Sequence, residues 1–155
     1  MVRRLSLGTI AAAALLAVAV QQPAQAQATS KPVGCNLAWC PIQVEVVKNA
    51  SGAEALRVSF DEIRMAPKHT GATLTWKLMG SPDYEFRADS VTAKGANAAS
   101  AAAQFPLRLI SANEYAYDNR NNNALKYDYE VRVYKKGSPA GSTPLVSNGV
   151  VVNAN

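Results

Sequence analysis

The chain has 155 residues, 48% hydrophobic and 17% charged, with 16 Lys and Arg against 11 Asp and Glu and a formal charge of +5. That length suits one domain with one buried core. Apart from Arg3-Arg4 and Lys135-Lys136 the basic residues are spread singly, which excludes the basic stripe that nucleic-acid binding requires.

Arg3 and Arg4 precede an apolar run from Leu5 to Val20 that only Ser6, Gly8 and Thr9 interrupt. Gln21-Gln22-Pro23 breaks it, and Ala24-Gln25-Ala26 and Ala26-Gln27-Ala28 are overlapping small-x-small cleavage sites. This pattern predicts a signal peptide over residues 1–26, cut after Ala26 or Ala28, and a periplasmic or secreted mature chain without a membrane span. The run falls short of the roughly 18 to 20 residues that cross a bilayer. Ser6 stands where a twin-arginine signal would carry a bulky apolar residue. Cleavage removes two arginines, leaving 14 basic residues against 11 acidic ones and a charge of +3.

Residues 27–41 read as a flexible lead-in that holds both cysteines, Cys35 and Cys40. In an oxidising compartment these two pair, and a tight turn is needed to bring them together. The domain proper is expected over residues 42–155. Ile42, Val44 and Val46 alternate with polar neighbours; Asn49 to Gly52 supplies a turn; Leu56, Val58 and Phe60 alternate again, which predicts a hairpin. Leu74, Trp76 and Leu78 mark the next strand, and Tyr84 and Phe86 share one side after a Gly-Ser-Pro-Asp turn. Residues 93–104 hold no large apolar side chain and read as a long mobile loop or a turn of helix. Phe105, Leu107 and Leu109 form a strand that Pro106 marks as an edge. After Tyr115, Tyr117 and the amide-rich loop 118–123, Leu125, Tyr127, Tyr129, Val131 and Val133 lie on one face of the longest strand. Residues 145–152 close the domain with a strand broken at Asn148-Gly149.

Seven to eight short strands with frequent turns predict an all-β, antiparallel two-sheet sandwich. Trp76 on an early strand, with Asn123 ahead of Tyr127 and Tyr129 on a late one, resembles the core tryptophan and tyrosine corner of immunoglobulin-like domains. The stretch from Leu74 to Phe86, followed by the strand from Tyr127 to Tyr134, is also similar to small exported bacterial β-sandwich proteins of unknown function. The resemblance covers about residues 42–152 and implies fold and location, with no activity to carry over.

Positioned chemistry is scarce. His69 is the single histidine, and no Gly-x-Ser-x-Gly nucleophile elbow occurs. Asp83 and Glu85 share the solvated side of their strand, which is no glycosidase cleft. Loop 118–123 offers one carboxylate, Asp118, too few for a calcium loop. No cofactor is indicated. The leading expectation is therefore a non-catalytic exported module that binds a protein or cell-envelope partner, with Tyr115, Tyr117 and Tyr134 as an exposed aromatic patch. Loops 93–104 and 118–123 would assist. Two alternatives are a copper-handling protein using Met65, His69 and Met79, whose thioether and imidazole groups suit that metal, and an enzyme of unrecognised type.

Overall fold

A computed structural model describes residues 33–35, 38–67 and 71–154. The expected signal peptide lies outside them. Eleven strands and one helix follow in chain order: β1 Val33–Cys35, β2 Trp39–Lys48, β3 Glu54–Val58, β4 Glu62–Met65, β5 Ala72–Met79, β6 Tyr84–Glu85, β7 Val91–Lys94, α1 Ala98–Gln104, β8 Leu107–Ser111, β9 Glu114–Asn119, β10 Lys126–Lys135 and β11 Leu145–Val152. They form two sheets, as the alternation of the sequence implies. The first has the order β1-β4-β11-β10, with β6 and β7 both paired to the far side of β10; the second has the order β3-β2-β5-β9-β8.

The two-sheet sandwich is present, but its sheets are mixed rather than antiparallel. β1 pairs with β4, β4 with β11 and β2 with β5 in parallel. Side-chain alternation reports which face is buried and carries no information on strand direction, so the parallel pairs are silent in the sequence. The expected hairpin is β2 and β3. Asn49 builds its turn: the Oδ1 atom accepts the backbone N–H groups of Ser51 and Ala53, both at 3.0 Å. Two other expectations are corrected. The lead-in does not extend to residue 41, because Val33–Cys35 and Trp39–Pro41 already pair within the sheets. The segment 93–104 is not a long loop but holds the helical turn that its residues allowed: it finishes β7 and then forms α1, whose Ala101 and Gln104 are buried. Alanine has the highest helix propensity, and a run of it can cover a sandwich end without large side chains.

The core is aromatic. Trp76 is fully buried on the inner face of the second sheet. It meets Tyr117 edge to face at 5.2 Å between ring centroids and, across the sandwich, Tyr129 at 5.4 Å. Phe105 packs edge to face on Tyr127 at 4.9 Å. Aliphatic side chains fill the remaining layers, among them Ile42, Val44, Leu74, Val131 and Val133, each at most 1% exposed. Tyr129 lies opposite Gly149 in the antiparallel pair β10 and β11. A Cβ at position 149 would overlap the Tyr129 ring, which explains the Asn-Gly interruption in the last strand.

Gly149→Ala should lower stability by about 1–3 kcal/mol, since Tyr129 is held by Trp76 and has no room to retreat. Gly34→Ala, where added bulk meets only open space, should change it by less than about 0.5 kcal/mol. Denaturant melts of the two variants make the comparison, and equal losses would contradict the packing described.

Candidate functional site

The expected aromatic patch does not exist. Tyr115, Tyr117 and Tyr134 are 1%, 5% and 6% exposed. Tyr115 and Tyr117 occupy the inner face of β9, where their hydroxyls donate to the carbonyl oxygens of Ala88 at 3.0 Å and Val91 at 2.5 Å. Tyr134 is on the outer face of β10 but is covered by the Arg87 guanidinium, 4.6 Å above its ring, and its hydroxyl donates to Asp89 at 2.5 Å. Period-two alternation identified the tyrosines as strand residues; which side of each strand meets the opposite sheet depended on the pairing.

The copper set is not assembled either. Met65 is buried at the end of β4, where the Ala66 carbonyl accepts the Asn121 side chain beside the first residues of β5. Met79 ends β5 on the outer face of the other sheet and is 42% exposed. Seven residues of strand, about 23 Å, separate that position from the Ala72 end. His69 lies outside the described residues. Among those described, no group of three or more His, Cys, Asp or Glu side chains could hold a metal.

Cys35 and Cys40 are bonded, with their Cα atoms 6.0 Å apart. Cys35 belongs to β1 of the first sheet and Cys40 to β2 of the second, so the disulfide crosses the sandwich between the inner faces.

Two polar regions are built and closed. At the end of the sandwich near Ala72, Asn119, Asn121, Asn153 and Gln104 are all buried. Asn119 Nδ2 donates to Asn153 Oδ1 at 2.8 Å, Asn119 Oδ1 accepts the N–H of Asn121 at 2.8 Å, and Asn121 Oδ1 accepts the N–H of Ala154 at 3.1 Å. Asn123 Nδ2 donates to the Tyr127 hydroxyl at 2.9 Å. Neutral amides that satisfy one another tie chain segments together and neither gain nor lose a proton at ordinary pH. On the outer face of the first sheet, Arg132 bridges Glu130 at 2.6 Å and Asp89 at 3.2 Å, Lys94 approaches Glu130 at 3.4 Å, and Arg87 pairs with Glu85 at 3.0 Å. Tyr134 holds the Asp89 carboxyl below its ordinary range by donating to it, with Arg132 adding to the effect. That face is latticed with its own partners.

The outer face of the second sheet is different. Trp39 is 50% exposed there, the largest apolar side chain at the surface. Its neighbour in the parallel pair is Thr73, and its indole N–H donates to Thr75 Oγ1 at 2.9 Å, two residues further along β5. Reaching a diagonal neighbour some 7–8 Å away lays the ring along the sheet instead of letting it stand free. Thr75 is consequently only 2% exposed. Pro41 stands beside it, paired with Thr75. Across the sheet, Thr73 donates to Asp118 Oδ1 at 2.8 Å, and Arg108 donates to the same oxygen at 2.9 Å. Cys40, the residue after Trp39, points the opposite way into the disulfide. Sequence reading passed over Trp39 because it falls inside the cysteine loop; the signal available was a tryptophan one residue out of phase with Cys40 and Ile42.

Fold and face together define an all-β two-sheet sandwich with one latticed outer face and one open face that presents a fixed indole. No protein-family model matches the chain, and no curated protein matches it. Among the described residues, no helix is long and apolar enough to cross a membrane.

Burial raises the pKa of Tyr115, Tyr117 and Tyr129; that of Tyr84, buried and donating to Glu54, is pushed up to about 12; that of Tyr134 is raised by burial and then by Asp89. The unfolded chain ionises its tyrosines near pH 10, before the folded one does. The stability these groups contribute is therefore complete below about pH 10 and is lost as pH rises towards 12 and beyond. In an alkaline titration, tyrosinate absorbance should appear together with loss of the β-sheet circular dichroism signal. Tyrosinate forming near pH 10 in a chain that keeps its β-sheet signal would contradict this burial.

Proposed function

We propose that the chain is an exported, non-catalytic binding module that holds a component of the cell envelope against the open face of its second sheet. The observation that carries this reading is Trp39: half exposed, yet fixed by Thr75, while every tyrosine and the other tryptophan are buried. An exposed tryptophan gives up water contact only when something covers it, and a ring already held in place costs little further ordering on binding. Export is supported by the signal pattern at the N-terminus and by the disulfide, which persists in oxidising compartments. The absence of turnover is inferred from the chemistry of the polar groups, which are committed to mutual amide and ion-pair contacts.

Trp39→Ala should leave the melting temperature within a few degrees of the parent, because the side chain covers only Thr75 and its surroundings. The same variant should lose about tenfold or more of its retention on isolated bacterial envelopes in a pull-down, the loss expected when a buried aromatic anchor is removed. Unchanged retention would rule out this face.

A further inference from the structure

We propose that the component bound at Trp39 is a neutral polysaccharide, with one pyranose ring stacked on the indole; this rests on the open face being the contact surface. The composition around Trp39 carries the inference. A protein partner would need about 800 Å² of surface on this side, with an apolar centre. Other exposed apolar residues of this sheet are distant: Met79 is six residues, or about 20 Å, along β5 from Thr73, and Ile110 is on β8, three strands from Trp39, or about 14 Å across the sheet. Trp39 is thus a single aromatic surface within a polar surround: Thr73, the Asp118 carboxylate and the Arg108 guanidinium run outward from it across β5, β9 and β8.

That arrangement matches the two surfaces of a sugar. The axial C–H groups of a pyranose form an apolar face about the size of an indole, drawn to the electron-rich ring as other positively polarised edges are. The equatorial hydroxyls at the rim need planar donors and acceptors at the same height. Asp118 Oδ1 already accepts from Thr73 and Arg108, while Oδ2 takes no hydrogen bond among the described residues and keeps its capacity to accept one. Arg108 is forked and has further N–H groups to offer. The charge argument selects a neutral ligand. Asp118 and Arg108 neutralise each other at 2.9 Å, Arg57 pairs with Glu45, and the exposed Lys77 stands opposite Glu114 in the register of β5 and β9, so positive and negative charges balance across this face and favour neither an acidic sugar nor an amino sugar. The strands lie about 4.8 Å apart, so the row from Trp39 to Arg108 spans about three of them, enough for a stretch of two or three sugar units lying across the sheet.

The test uses the mature chain with its disulfide intact and isothermal titration against cellohexaose, maltohexaose and chitohexaose, with polygalacturonate as the charged comparison. A fourth probe is envelope polysaccharide freed of protein by protease treatment. The proposal expects at least one neutral probe to bind and polygalacturonate to bind no better. Trp39→Ala should weaken binding about tenfold or more, Trp39→Tyr should keep it within a few-fold, and Asp118→Asn should weaken it measurably while leaving the melting temperature in place. If intact envelopes retain the chain through Trp39 but no saccharide probe binds or competes, the sugar assignment is overturned and the contact face stands. If saccharides bind equally well to Trp39→Ala, the assignment of the ring to Trp39 is wrong. If envelope retention never depended on Trp39, the face itself is excluded.

Discussion

The packing of Trp76 between Tyr117 and Tyr129 is the contact on which the sandwich depends. Trp76 and Tyr117 come from one sheet and Tyr129 from the other, so the edge-to-face pairs fix both the spacing and the lateral registration of the two layers. Several features of the chain follow from fitting rings of this size. Gly149 makes room for Tyr129 on the neighbouring strand, α1 brings small alanines over the end of the sandwich, and the tyrosine hydroxyls reach carbonyls at the rim, including that of Phe60 at 3.4 Å from Tyr129. Aromatic pairs add about 0.5–1.5 kcal/mol each beyond the area they bury, which makes six of them a substantial share of a marginal total.

Residues 39 and 40 divide the consequences of that packing. Cys40 faces inward and joins β2 to β1 across the core; Trp39 faces outward and is held by Thr75. In a strand, successive side chains point to opposite faces, so fixing one residue by a covalent bond fixes the direction of the next. The loop closed by the disulfide is short and removes modest entropy from the unfolded chain, about 2 kcal/mol in the chain-entropy model. Its larger effect is local: the strand that carries the exposed indole is anchored to the opposite sheet at the adjacent position.

Much of the fold was legible because period two is a direct record of burial. Ile42, Val44, Leu74, Trp76, Leu78, Tyr127, Tyr129, Val131 and Val133 all face the core as their alternation indicates, and the turn at Asn49 to Gly52 is where its residue types place it. Strand direction was not legible, since a parallel and an antiparallel neighbour demand the same alternation. The helix was legible only as a turn within a loop, because alanine and serine without a hydrophobic stripe give no period to read. The binding face was missed for a related reason. Tyr115 and Tyr117 have the composition of a recognition patch, but their strand is second from the edge and turns them towards Trp76; Trp39 was hidden in a segment whose cysteines already explained it. Among polar residues, Asn119 and Asn121 looked like loop material, and only their convergence with Asn153, from β9, the following loop and the C-terminal segment, makes them a buried network.

The account rests on the two tryptophans having opposite roles, one sealed between the sheets and one laid on the surface. Acrylamide quenching of fluorescence in the Trp39→Phe and Trp76→Phe variants reads each indole separately. Emission from Trp39 should be quenched readily and emission from Trp76 hardly at all until the chain unfolds. Two equally shielded indoles would mean that Trp39 is buried and that the open face does not exist as described; two equally accessible ones would mean that the sheets are not held together at Trp76.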